Sequence, residues 1–179
     1  MGKWKDAFEA TLLPASEREY GEAYIFGPPA AENELEDAEK AVGHPFPEDL
    51  RQLLREFNGI RKSDMYGREL GHPPSPLFLD TASIAEVIQR PDMIDHMTDR
   101  DEETDYLSET GEISPDNDIR KVAWFWETNG GADRYGIVCE EFEDIPVSSI
   151  VKLDHESSGF IIQAFPDLLS FLRSGKAKW

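Results

Sequence analysis

The sequence predicts an α+β fold, with a largely antiparallel sheet flanked by helices in a single domain. Apolar residues recur at helical spacing in the first third of the chain and again near its end. Between these regions, short runs rich in β-branched and aromatic residues are separated by turn signals. Helices therefore come first, hairpin-connected strands follow, and a helix closes the chain, which is the order typical of the α+β class.

The chain has 179 residues, the usual length of one domain. We expect that domain to cover residues 1–179, with an N-terminal helix and lead-in at 1–23 and a core at 24–173. An acidic insertion is predicted at 92–118. The single cysteine, Cys139, excludes an internal disulfide and fits a reducing compartment.

The beginning of the chain does not resemble a secretory signal. Asp6 and Glu9 stand where such a signal needs an apolar stretch. The longest unbroken apolar run, Val122 to Trp126, is far too short to span a bilayer. We therefore expect a cytoplasmic protein.

The first two helices are predicted from apolar faces at helical spacing. One such face predicts a helix over 3–13. The stretch Tyr24 to Phe26 then runs into Gly27-Pro28-Pro29, which predicts an entry loop. A second helix is predicted over 32–43, with acids in its first turns, where the helix dipole favours them.

The ends of the second and third helices carry recognisable signals. Asn33 with Glu36 fits a capping box, and Gly43 fits the C-terminal stop of the second helix. Pro47 fits the first turn of the third helix, and Asn58-Gly59 fits its end. The buried stripe of this third helix is predicted to consist of Leu50, Leu53, Leu54 and Phe57.

The middle of the chain predicts less regular structure. Residues 60–76 are rich in Gly, Pro and charge, which predicts a loop with room for a short strand. Leu77 to Leu79 is predicted to be a strand. Thr81 or Ser83 is predicted to cap a short helix that follows.

A hairpin is predicted in the second half of the chain. Its strands are Val122 to Trp126 and Tyr135 to Cys139, and its turn is Asn129-Gly130-Gly131. Trp124 and Trp126 are two residues apart and are predicted to share one face. Core packing is their expected role, and a ligand-facing aromatic platform is the alternative.

The end of the chain predicts one more strand and a final helix. The strand covers Ile150 to Leu153. The helix closes near Gly175. Its apolar stripe is predicted to consist of Phe165, Leu168, Leu169 and Leu172.

The charge balance is strongly acidic. Lys and Arg number 18 and Asp and Glu number 37, so the formal net charge is −19. Residues 92–118 hold eleven acids and one base, and therefore carry −10 of that total. Such a balance opposes binding to nucleic acid and to anionic membranes, whose affinity for proteins comes largely from Lys and Arg. It favours a basic protein partner, although solubility alone also accounts for it.

The residue types that support metal binding are present without the required spacing. His44, His72, His96 and His155 include no pair four residues apart, so the helical His pair of a zinc site is missing. The acids at 99–105 do not fit a calcium-binding loop. Thr104 stands where the turn needs Gly, and Thr110 where Glu should chelate the ion. Loose association of Ca²⁺ or Mg²⁺ stays open.

No recognisable arrangement of acid, base and nucleophile occurs in the chain. Cys139 lies in a predicted strand, where a buried inert thiol is the default. A nucleophilic role would need a base nearby, and His155 is the candidate. We expect a protein that is not an enzyme and that holds no cofactor and no metal.

Two stretches of the sequence resemble the signature of a known family. The first is PPAAENELEDAEKAVGHPFPEDLRQLLREFNG, and the second is VAWFWETNGGADRYGIVCEE. The chain resembles the SUKH superfamily, which is named partly for a yeast cell-wall assembly regulator. The residues that carry the resemblance are Glu39, Gly43, Phe46, Pro47, Asn58, Gly59, Gly130, Gly131, Asp133 and Tyr135. The acidic segment 92–118 is longer than the usual connection in that family.

The resemblance implies an α+β fold and, in bacteria, frequent service as an immunity protein that neutralises a toxin domain. The expected partner is a basic toxin domain encoded nearby, a nuclease being one candidate, and the chain itself is expected to be a monomer. The alternatives are a non-enzymatic regulatory scaffold akin to cell-wall assembly regulators and a carboxylate-based hydrolase.

Two sets of residues receive predicted roles. Packing roles are predicted for Phe46, Leu50, Leu54, Trp124 and Tyr135, and backbone-turn roles for Asn58, Gly59, Gly130 and Gly131. The predicted partner-facing acids are Asp99, Asp101, Glu102, Glu103, Asp105, Glu140, Glu141, Glu143 and Asp144.

Overall fold

A computed structural model describes most of the two signature stretches and their neighbours. The described residues are 2–10, 23–63, 78–87, 89, 121–127, 133–141, 145–154 and 161–174. Their helices are α1 (Lys3–Glu9), α2 (Glu32–Val42), α3 (Glu48–Glu56), α4 (Thr81–Val87) and α5 (Leu168–Arg173). Their strands are β1 (Ala23–Phe26), β2 (Ile60–Ser63), β3 (Val122–Glu127), β4 (Asp133–Val138), β5 (Ile150–Asp154) and β6 (Ile161–Phe165).

All strand pairs in these ranges are antiparallel. β1 pairs with β2, and the other four strands form a meander in the order β3-β4-β5-β6. Phe78 joins the two groups, because it bridges to Ile60 of β2 on one side and to Trp126 of β3 on the other. Helices flank the strands, so the predicted α+β fold with an antiparallel sheet is confirmed.

The prediction that Trp124 and Trp126 share one face is wrong, because β3 contains a bulge. Trp124 pairs with Gly136 and Trp126 with Tyr135, so Phe125 is the extra residue. Tyr135 and Gly136 are neighbours in β4 and therefore point to opposite faces of the sheet. The tryptophans that pair with them lie on opposite faces for the same reason. Both faces of β3 are covered, since all six of its residues are buried.

An aromatic cluster joins α1 and α5 to one face of the sheet. Trp126 has ring contacts with Phe8 of α1, with Phe78 and with Phe171 of α5, at centroid distances of 6.4, 6.1 and 5.6 Å. Phe171 also meets Tyr135 of β4 at 5.0 Å. This cluster places Trp126 in the core, as predicted. It also brings α1 and α5 into contact with each other.

The helix starts differ from the predictions by one or a few residues. At α2, the Ala31 amide donates to Glu34 Oε2 at 2.7 Å, so the predicted capping box of Asn33 with Glu36 is wrong. At α4, the Ser83 amide donates to Asp80 Oδ1 at 2.8 Å, so Asp80 caps this helix in place of Thr81 or Ser83. Several neighbouring residues in each segment have a suitable side chain, and only the folded backbone selects one.

Two strands lie where the sequence predicted none. β1 lies directly before the predicted entry loop Gly27-Pro28-Pro29 and pairs with β2 from Phe26↔Ile60 to Ala23↔Ser63. Phe165 belongs to β6 and not to the final helix, which begins after Asp167. Both strands depend on partners elsewhere in the chain, and local spacing does not show such pairing.

Two predicted features lie outside the described residues. They are the acidic insertion at 92–118 and the turn Asn129-Gly130-Gly131. The strands on either side of that turn pair as predicted, with Glu127 opposite Arg134. The Arg134 Nε donates to Glu127 Oε1 at 3.0 Å, and this ion pair is buried.

Candidate interaction surface

Glu39 connects α2 to α3 through one carboxylate oxygen. Its Oε1 accepts a hydrogen bond from the Phe46 amide at 2.8 Å and another from Arg51 Nη1 at 2.5 Å. The Glu39 side chain is only 14% exposed. The signature acid therefore holds the link between the helices and is mostly buried.

Two arginines of α3 neutralise further acids. Arg51 also contacts Glu32 of α2, and Arg55 Nη2 lies 2.9 Å from Glu32 Oε2. The hydrogen bond from Arg55 is the main cause that lowers the pKa of Glu32. The hydrogen bond to Glu39 is the main cause that raises the pKa of Arg51. These acids and bases form ion pairs with each other, so their charges are balanced within the chain.

Asn58 ties three chain segments together. Its amide donates to the Pro28 carbonyl at 3.0 Å. Its Oδ1 accepts from the Thr81 amide at 2.8 Å, and its Nδ2 donates to Thr81 Oγ1 at 3.1 Å. α3 already ends at Glu56, so Asn58 joins β1 and α4 to the end of α3 and does not itself stop the helix.

The other described signature residues lie in the core or at backbone turns. Gly43 and Gly59 both have φ of 91°, a conformation that favours glycine. Pro47 is the N-cap of α3, one position before the predicted first turn. Buried members are Phe46, Leu50, Leu54, Trp124 and Tyr135. Asp133 is the first residue of β4.

The structure describes only two of the predicted partner-facing acids. Glu140 lies between Lys121 Nζ at 3.1 Å and His44 Nδ1 at 3.3 Å, so part of its charge is already balanced. Glu141 is exposed and makes no ion pair within the described part. Outside the described residues lie Asp99, Asp101, Glu102, Glu103, Asp105, Glu143 and Asp144.

The structure adds acids that the sequence reasoning did not select. Glu36 and Asp37 of α2 and Glu86 of α4 are exposed, and their side chains make no ion pair or hydrogen bond among the described contacts. The two helices pack against each other. The helical spacing of α2 could have identified the first two, because they lie opposite its apolar stripe.

Cys139 is buried, and its surroundings keep the thiol protonated. Burial raises the pKa of Cys139 to about 12. Its Sγ lies 3.6 Å from the Ile137 carbonyl oxygen. A thiol in this state is a poor nucleophile at neutral pH.

Neither a metal-binding cluster nor a membrane-spanning helix occurs in the described ranges. There, no group of three or more His, Cys, Asp or Glu side chains is placed to hold a metal ion. The helices in the same ranges are too short or too polar to cross a bilayer.

The fold and this surface define a strongly acidic α+β protein. Its sequence matches the model of the SMI1 / KNR4 family (SUKH-1) over residues 29–174. The chain belongs to this family, which confirms the resemblance. No curated protein matches it.

Proposed function

We propose that the chain is an immunity protein, which binds and neutralises a toxin domain with a basic surface and performs no catalysis. One observation carries the proposal, the net charge of −19. Internal ion pairs leave this net charge unchanged, because each pair cancels one positive and one negative charge. Membership of the SUKH-1 family supports the proposal.

The surface acids favour a basic partner on electrostatic grounds. Arg51 and Arg55 are paired with Glu32 and Glu39, whereas Glu36, Asp37 and Glu141 are exposed and form no ion pair with the part of the chain that the structure describes. Exposed charges of one sign steer an oppositely charged partner and increase its association rate. A nuclease toxin needs Lys and Arg to hold phosphates, so it presents the complementary surface.

The residues 92–118 are the principal partner-facing segment in this proposal. They carry −10 of the net charge and lie apart from the two signature stretches. The fold and the choice of partner therefore depend on different residues. Substitutions in this segment can therefore change which toxin the protein binds without altering its core.

The test is rescue of growth. The C-terminal domain encoded by the gene immediately upstream is expressed in cells with and without this chain. We expect growth arrest with the domain alone and growth with both. Continued arrest, with the chain abundant and folded, would contradict the proposal.

Matched variants locate the surface. The first reverses Asp101, Glu102 and Glu103 to Lys, and the second reverses Glu36, Asp37 and Glu86 to Lys, so both change the net charge equally. We expect the first variant to lose rescue and the second to weaken it less, because Glu36 and Asp37 contribute only to steering. If only the second variant lost rescue, the interface would lie on α2 and α4 and not on residues 92–118.

A further inference from the structure

A cleft opens where three chain segments meet, at the end of β1 and the start of β2. Its volume is about 350 Å³, near the lower end of ligand pockets, and its lining includes Ile25, Pro28, Arg61 and Asp80. Phe26 also lines the cleft, and its ring packs against Phe8 of α1 at a centroid distance of 5.7 Å. A space of this size fits one or two side chains.

The floor of the cleft is fixed by close backbone contacts. The Gly27 amide donates to the Gly59 carbonyl at 2.9 Å, and the Asn58 amide donates to Pro28 at 3.0 Å. A Cβ atom added at Gly27 would lie 2.0 Å from the Asn58 carbonyl oxygen, so only glycine fits there. A site that is already formed loses little entropy when a ligand binds.

An exposed apolar side chain borders this fixed floor. Ile25 is 43% exposed, and it and Val147 are the only large apolar side chains exposed in the described ranges. Arg61 lies opposite Ile25 across the strand pair, and its Nη2 is 3.8 Å from Asp80 Oδ2. The single cation of the cleft is thus balanced by its neighbour.

The surroundings of the cleft are acidic. Residues 25–28 form one wall, and α2, which follows them in the chain, carries four acids in its first six residues. Lys5, whose Nζ lies 4.5 Å from the Phe26 ring centroid, is outnumbered by these acids. The whole chain carries −19. An approaching segment is therefore favoured when it is basic, and Ile25 with Pro28 offers it an apolar contact.

We propose that this cleft receives an apolar side chain of the partner protein, flanked in the partner by Lys or Arg. The inference rests on the proposed function, because it assigns part of the toxin interface to the SUKH-1 chain. The acids supply steering, and the buried apolar contact supplies specificity in the manner of an interface anchor.

The first test needs no toxin. The ¹⁵N-labelled full chain is titrated with a Lys-Leu-Lys tripeptide, blocked at both ends, and separately with Glu-Leu-Glu. We expect saturable shifts of the Ile25, Gly27, Gly59 and Asp80 amides with the basic peptide only, and their loss in Ile25→Lys. Shifts elsewhere, equal shifts with both peptides, or none would overturn the proposal. So would shifts of these amides that depend on protein concentration alone, because a second copy would then fill the cleft.

The second test uses the upstream-encoded toxin domain with Ile25→Lys and the matched Val147→Lys. Both residues are exposed, so both variants are expected to fold. We expect Ile25→Lys to weaken binding by about tenfold or more and Val147→Lys to leave it unchanged. Equal effects would contradict binding at the cleft and leave the proposed function intact. If the peptide binds the cleft and the toxin domain does not bind the chain, the proposed function is wrong, and the cleft is still a site for a basic peptide with an apolar side chain.

Discussion

Glu39 shows how a single acid can be a family signature through its contacts within the chain. The Phe46 amide and Arg51 both donate to its Oε1. A nearly buried carboxylate with two donors is costly to remove, because the Phe46 amide loses its acceptor and Arg51 keeps only Glu32. The sequence identified this position only through the family pattern.

We predict that Glu39→Ala lowers the free energy of unfolding by about 2–3 kcal/mol, the range for a hydrogen bond to a charged group. Glu39→Gln keeps an acceptor for the Phe46 amide and should lose less. Urea unfolding measures both variants. A loss from Glu39→Ala below about 0.5 kcal/mol, typical of surface changes, would contradict the structural role.

Asp167 caps α5 and makes that cap dependent on pH. Its Oδ1 accepts from the Ser170 amide at 2.7 Å, and this hydrogen bond is the main cause that lowers the pKa of Asp167. A lowered folded-state pKa gives stability that is present above the unfolded-state value, about 3.9, and is lost as the pH falls through the folded-state value.

We therefore predict that Asp167→Ala costs about 1 kcal/mol at neutral pH and that this cost shrinks below about pH 3.9. Asp167→Asn, which also caps helices well, should stay close to the wild type at neutral pH. Urea unfolding across this pH range gives the answer. A cost that stays constant on acidification would contradict the charged cap.

At the scale of elements, Asn58 holds β1 and the start of α4 against the end of α3. We predict that Asn58→Ala costs about 2 kcal/mol, since two side-chain hydrogen bonds to Thr81 are lost. Asn58→Asp keeps the acceptor for the Thr81 amide and should cost less. If the two variants unfold alike in urea, the paired hydrogen bonds do not explain the residue.

The bulge in β3 places Val122 and Trp124 directly over Gly136 of β4. A Cβ atom added there would lie 2.2 Å from Val122 Cγ1 and 2.9 Å from Trp124 Cε3. We predict that Gly136→Ala costs about 1–3 kcal/mol by overpacking. Val122→Ala removes the nearer atom, so the double variant should cost less than the sum of the single variants. Additive costs in a double-mutant cycle would contradict this packing.

Helices were easier to predict from the sequence than strands. The apolar stripes of α2 and α3 repeat within one segment, so both helices lie where expected, apart from their caps. β1 depends on pairing with distant residues, such as Phe26 with Ile60, while β6 and the bulge depend on pairing with the neighbouring strand, and no pattern within a single strand contains that information. The cleft at Ile25 was missed for the same reason, because three separate segments build it.

At the scale of the whole molecule, the residues that hold the fold together are different from the residues that carry the unbalanced negative charge. The aromatic core around Trp126 and the link at Glu39 involve no unbalanced surface acid. The sequence predicted the acidic balance and the kind of partner it favours, since charge is a property of composition. The surfaces of α2 and α4 became candidates only when the structure showed which acids lack an internal partner.

The central claim is that this acidic SUKH-1 chain recognises a basic toxin domain by charge. The most direct measurement is the association rate of the purified chain with the upstream-encoded domain as salt is raised. We predict that this rate falls about tenfold or more between low and high salt, with a smaller change in the dissociation rate. The salt dependence should be weaker when Asp101, Glu102 and Glu103 are reversed to Lys. An association rate that is independent of salt, or the absence of binding, would contradict the central claim.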